Sequence, residues 1–213
     1  DAVAEQGEDT TLVLDVTVHD GRGGEAQRVL KIWQKGADRR LIKFLQPVRL
    51  EGTGLLVDEH DNLYLYLPAY ARVRRVVGSG RGDAFMGTDF SMDDLARIQF
   101  GDEYHAELTA EDGEFWHLEL IPKVPADHGH DHVTMRVRRS DDLFDRVEFV
   151  DDGEVVRRIT FDDVRHDGVR PIAWWLKVED LETGRSTVAI VREIAFDTGL
   201  EDDLFTTRYL MRE

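Results

Sequence analysis

Apolar and polar residues alternate with a period of two along most of the chain, the spacing of strands that bury one face. Leu12, Leu14, Val16 and Val18 share one side of a first strand, with Val13, Asp15 and Thr17 on the other. After the Asp20-Gly-Arg-Gly-Gly24 turn, strands are predicted over about 26–34, with Leu30 and Ile32 inward, and about 39–45, with Ile42 and Phe44 set against Leu41 and Lys43. Further strands are predicted near 53–58, 62–67 and 72–77. In the second half, Trp116, Leu118 and Leu120 alternate with His117 and Glu119, and Val133, Met135 and Val137 with Thr134, Arg136 and Arg138. Asp151-Asp-Gly153 and Glu182-Thr-Gly184 are hairpin signals between strands at about 143–150, 154–163, 171–181 and 185–196. Some eleven strands with short connections imply a mainly β protein built on one large antiparallel sheet, curved or rolled into a barrel.

One helix stands out. Ser91 is a suitable N-cap, Asp93 and Asp94 occupy the first turn where the helix dipole favours anions, and Ser-x-x-Asp approximates a capping box. Met92, Leu95, Ala96 and Ile98 give it an apolar stripe. Residues 1–9 read as the end of a second helix. No linker or repeat interrupts the pattern, so the chain reads as one domain, 1–213.

Seven aromatic residues fall on strands, Trp33, Tyr64, Tyr66, Phe115, Trp116, Trp174 and Trp175. Core and cross-strand packing explain most of them. The pair Trp174-Trp175 is different, because neighbours on a strand point to opposite faces and both faces must accept an indole. One face therefore reads as a cavity wall. Arg72, Arg74, Arg75 and Arg81 cluster locally, either to meet an anionic headgroup or acidic partner or to pair with neighbouring carboxylates. His128, His130 and His132, flanked by Asp127 and Asp131, offer nitrogen and oxygen ligands for zinc, nickel or copper, although their spacing matches no catalytic site and the central glycine suggests a hairpin loop.

A net charge of −17, from 44 acidic against 27 basic residues, argues against nucleic acid, which needs a concentrated cationic face. The absence of cysteine removes disulfides, thiolate catalysis and cysteine zinc sites together. Hydrophobic content is 41%, but no apolar run approaches the ~18 residues a membrane-spanning helix requires. Enzyme signatures are missing: there is no Gly-x-Ser-x-Gly elbow and no His-Glu-x-x-His, and Gly78-Ser-Gly-Arg-Gly82 lacks the lysine of a phosphate-binding loop.

Two segments carry a resemblance. Tyr66-Leu-Pro-Ala-Tyr-Ala-Arg-Val-Arg-Arg75 and Phe85-Met-Gly-Thr-Asp-Phe-Ser-Met-Asp-Asp-Leu95 resemble the signature of the outer-membrane lipoprotein-sorting protein family, relatives of the periplasmic lipoprotein carrier LolA. The stretch from Arg146 through Asp152-Gly-Glu-Val-Val-Arg-Arg-Ile-Thr-Phe161 to Gly168-Val-Arg-Pro171 is similar to the same family's second half. The resemblance implies an incomplete, half β-barrel with a helical lid over a hydrophobic cavity for acyl chains, in a periplasmic, non-enzymatic carrier without a cofactor. It also implies transfer of lipoprotein or other lipid toward the outer membrane, with an inner-membrane exporter of the resistance-nodulation-division type as a partner, peripheral membrane contact and a monomeric state. Alternative readings are a structural adaptor of an exporter, or a hydrolase or isomerase acting on a hydrophobic substrate. On the carrier reading the wall is expected to include Trp33, Leu65, Leu67, Trp116, Trp174 and Leu176, with Phe90, Met92 and Leu95 on the lid and Arg72, Arg74, Arg75 and Arg81 at the partner or headgroup contact. A slip of one residue would swap the face of a whole strand.

Overall fold

The computed structural model describes residues 7–96, 100–101, 103–124 and 129–212, apart from the Ser79 side chain. The described residues form one 13-stranded antiparallel sheet. Its strands are β1 (Asp9–His19), β2 (Glu25–Lys35), β3 (Arg39–Gln46), β4 (Gly54–Val57), β5 (Leu63–Leu67), β6 (Arg72–Val76), β7 (Tyr104–Glu111), β8 (Phe115–Pro122), β9 (His132–Arg138), β10 (Phe144–Asp151), β11 (Glu154–Asp167), β12 (Arg170–Asp180) and β13 (Ser186–Phe196), with α1 at Met92–Ala96 and α2 at Thr207–Leu210. The spatial order runs from β6 back to β1, then β13 back to β7. The first and last strands therefore pair at the centre, and β6 and β7 are open edges. Asp152 and Gly153 both adopt positive φ, 49° and 80°, the two left-handed residues that a tight Asp-Gly hairpin turn demands.

Flat, the twelve steps between neighbouring strands would hold the edges ~58 Å apart. Yet Val76 of β6 and Tyr104 of β7 belong to one buried cluster to which every strand contributes. The sheet is thus strongly curved but not closed, a half-barrel with its core on the concave side. The sequence reading has no strand at β7. Only Tyr104 of its eight residues is buried, so no alternation marks it. The helix expected over residues 1–9 falls mostly outside the described residues, and Asp9 belongs to β1. Ile98 of the expected apolar stripe is also outside them.

The convex face of β2 to β5 is covered by the chain's last segment. Leu204, Phe205 and Leu210 bury Leu41 and Leu56, with Trp33, Tyr64 and Tyr66 packed around them. Gly54 makes this approach fit, since a Cβ there would lie 2.7 Å from Leu210 Cδ1 and 3.1 Å from the Ile42 carbonyl oxygen.

Candidate functional site

Between the concave face and the segment 83–96 lies a cavity of about 450 Å³, within the ~300–1,000 Å³ range of ligand sites. Its walls are Leu12, Leu14 and Val16 of β1, Leu30 and Ile32 of β2, Ile42 of β3, Val147 and Phe149 of β10, Ile159 and Phe161 of β11, Trp174 and Leu176 of β12, and Ala189 and Val191 of β13, roofed by Phe90 and Leu95. These are the inward positions of the period-two pattern. Under the roof the packing is tight, with Val16 and Ala189 no more than 2% exposed. Toward the opposite end, Leu12, Trp174, Ile194 and Phe196 are only half-buried, and the cavity opens there.

The roof is held by arginines from several elements. Ser91 and Asp94 form the reciprocal cap expected of them: Asp94 N–H donates to Ser91 Oγ at 2.9 Å, and Ser91 N–H donates to Asp94 Oδ2 at 2.7 Å. Arg157 of β11 grips the Asp94 carboxylate with both Nη atoms, one bond measuring 2.9 Å, and donates to the Asp89 carbonyl at 3.1 Å. Arg40 of β3 donates to the Leu95 carbonyl at 2.8 Å and to Gln34 Oε1 at 2.6 Å. Arg81 reaches Asp93 at 2.8 Å and Asp61 at 3.2 Å. At the β12–β13 turn, Arg185 Nε donates to Asp89 Oδ1 at 2.9 Å and Thr187 Oγ1 to Asp89 Oδ2 at 2.7 Å. Hydrogen bonds to charged groups each contribute ~1.5–3 kcal/mol, so the roof is firmly seated.

Burial drives the Asp94 carboxyl upward, but Arg157 and the Ser91 bonds more than offset it and leave it below the usual carboxylate range. Burial lowers Arg40 to about 10, so it stays cationic at neutral pH. The remaining polar lining is occupied structurally in part: Thr88 donates to the Phe85 carbonyl at 2.7 Å, and Asp142 closes a turn with a left-handed φ of 59°.

Of the residues singled out from sequence, Phe90, Leu95, Trp174 and Leu176 line the cavity. Leu65, Leu67, Met92 and Trp116 face the same side but pack in the adjoining core. Trp33 stands on the convex face, because Leu30 and Ile32 take the inward positions of β2 and the period of two puts Trp33 opposite. Trp174 and Trp175 part to the two faces, as the alternation requires. Arg72 and Arg74 are exposed on edge strand β6, Arg75 is exposed and bonds the Asn62 side chain, and Arg81 serves the roof. His128 lies outside the described residues. His130 Nε2 is 3.0 Å from the Tyr104 hydroxyl, and His132 Nε2 is 3.7 Å from Glu119. Among the described residues no group of three metal-ligating side chains converges. The Ser91-x-x-Asp94 cap marks one member of the Arg40, Asp94 and Arg157 group in the sequence, but Arg40 lies 55 positions from Leu95 and Arg157 63 from Asp94, separations no local pattern encodes.

A protein-family model described as "Uncharacterized protein" matches residues 36–212. No curated protein matches the chain significantly. Among solved structures, an outer membrane lipoprotein-sorting protein domain from Vibrio parahaemolyticus superposes with a TM-score of 0.88 at 24% identity, over 99% of this chain and 94% of that one. A DUF1329 family protein from Desulfovibrio piger gives 0.86 at 26% identity, over 97% and 93%. A LolA superfamily protein from Nitrosomonas europaea gives 0.78 at 18% identity, over 96% and 92%. The half-barrel has a LolA-like fold.

Proposed function

Because the chain belongs to the family whose model spans residues 36–212 and has the LolA-like fold, we propose that it is a non-enzymatic periplasmic carrier. It would bind the acyl chains of lipoproteins or other lipids and transfer them toward the outer membrane. The observation that carries this reading is the apolar cavity between sheet and roof, whose charged members are already engaged, Arg40 and Asp94 in holding the roof and Asp142 in closing a turn. An acyl chain loses ~0.8 kcal/mol of hydrophobic penalty per buried methylene, so a fatty chain needs roughly 10 kcal/mol of shelter before it leaves a bilayer. An enclosed cavity supplies that shelter; a surface patch does not. Phe90, Leu95, Trp174 and Leu176 are proposed ligand contacts, and exposed Arg72 and Arg74 the contact for an anionic headgroup or an exporter of the resistance-nodulation-division type.

Mass spectrometry of lipids copurifying with the protein from its native host is expected to find acyl lipid or acylated peptide at near-stoichiometric level. Protein that arrives empty and extracts nothing from membranes would overturn the proposal. Leu14→Trp places an indole in the half-buried part of the cavity. It displaces the equivalent of two or three methylenes, about 2 kcal/mol, and should weaken binding of a fluorescent fatty acid ~30-fold with little change in melting temperature.

A further inference from the structure

The sheet is not continuous along its whole height. β12 and β13 pair only over Trp175–Glu179 and Ser186–Ile190. Beyond that point each strand keeps its outer neighbour and loses the other: Arg170 to Ala173 stay on β11, and Val191 to Phe196 stay on β1. The parting has identifiable causes. Glu193 pairs with Val13 and Val191 with Leu14, so Arg192 is an extra residue, a bulge that bends β13 where its contact with β12 stops. Asp9 then holds the end of β13 toward β1, its carboxylate accepting from the backbone N–H groups of Thr198, Gly199 and Leu200 at 2.8–2.9 Å. On the other lip, Pro171 offers no backbone donor for a neighbouring strand.

Both lips of this gap are cavity wall. Ile172, Ala173 and Trp174 on one side and Val191, Ile194 and Phe196 on the other all line the same space. Each lip's aromatic ring is covered by an arginine: Arg165 lies 4.4 Å from the Trp174 ring centroid and Arg170 4.7 Å from that of Phe196. One ion pair, Arg170 with Asp197 at 2.5 Å, spans from the β11–β12 hairpin to the end of β13. The roof end is held by four arginines, the gap by Arg170 through its ion pair with Asp197 and its contact with the Phe196 ring.

Resting on the carrier reading, we infer that the gap between β12 and β13 is the side entrance of the cavity, and that Arg170–Asp197 is its clasp. A ligand with one apolar chain and a polar head threads the chain between the lips and leaves the head outside, while the roof stays seated. Sliding in sideways avoids drawing the head through the apolar interior, where an unpaired polar group is costly.

The chain has no cysteine, so Val169→Cys with Ala195→Cys can be bridged across the gap by a short bismaleimide; neither residue lines the cavity. Stopped-flow loading of 11-(dansylamino)undecanoic acid should be at least tenfold slower in the bridged protein than in the same variant unreacted. Arg170→Gln, which removes both the ion pair with Asp197 and the contact with the Phe196 ring, should load up to about fivefold faster. Unchanged loading after bridging, with equilibrium binding retained, overturns the side entrance and leaves carriage standing. A probe that binds neither the unreacted variant nor the native chain overturns carriage itself. Should the cysteine variant fail to fold, Arg170→Gln decides alone: faster loading supports the clasp, and unchanged or slower loading refutes it.

Discussion

Arg157→Met is expected to lower stability by about 3–5 kcal/mol at pH 7, because it strands the Asp94 carboxylate under the roof without its cation. The Asp94 side chain is only 11% exposed, and Arg157 both neutralises it and ties it to β11. The sign of the pH dependence distinguishes this loss from general damage. In the native chain the folded-state Asp94 carboxyl titrates below its unfolded value, so its contribution is fully present above pH ~4 and disappears as pH falls through the folded value. In Arg157→Met burial dominates and the carboxyl titrates above the unfolded value, so ionisation opposes folding and acidification restores part of the stability. Urea midpoints for the native chain should therefore hold between pH 7 and 5 and fall at pH 3.5, while the gap between native and variant narrows on acidification. A constant gap would mean that Asp94 is not the group responsible.

Leu210→Ala should cost about 2–5 kcal/mol while leaving ligand affinity per folded molecule unchanged. Leu210 is fully buried against the convex face with Leu41 and Leu56 and does not line the cavity. Its cost is a void in the seam between α2 and the sheet. Gly54→Ala attacks the same seam from beneath and should cost ~1–3 kcal/mol by overpacking. The two changes should be less than additive, because the new methyl enters space that the shortened residue 210 vacates, although its approach to the Ile42 carbonyl persists. Chemical denaturation of the two single variants and the double variant completes the cycle. Full additivity would show that the Leu210 contact is not what Gly54 accommodates.

Much of this architecture is legible in the alternation itself. Leu12, Leu14, Leu30, Ile32 and Ile42, all inward by period, are cavity wall in the structure, and the Ser91–Asp94 cap forms. Aromatic identity alone does not place Trp33; its register does. On the convex side Trp33 is covered by α2 and the 3-10 turn Asp202–Phe205, a late segment that no pattern in β2 announces. β7 left no trace because an exposed edge strand needs no apolar face. The roof's ion pairs join residues far apart in sequence, and only the curvature of the sheet brings them together.

The pairing of β1 with β13 at the middle of the sheet also governs how the chain is made. β1 finds its second partner only when β13 appears, about 170 residues later. Until then a long edge bearing Leu12, Leu14 and Val16 stays unpaired and open to other strands. A topology dominated by such distant contacts folds slowly. During synthesis this protein should therefore depend on holding factors that shield β1, and aggregation in vitro should begin there.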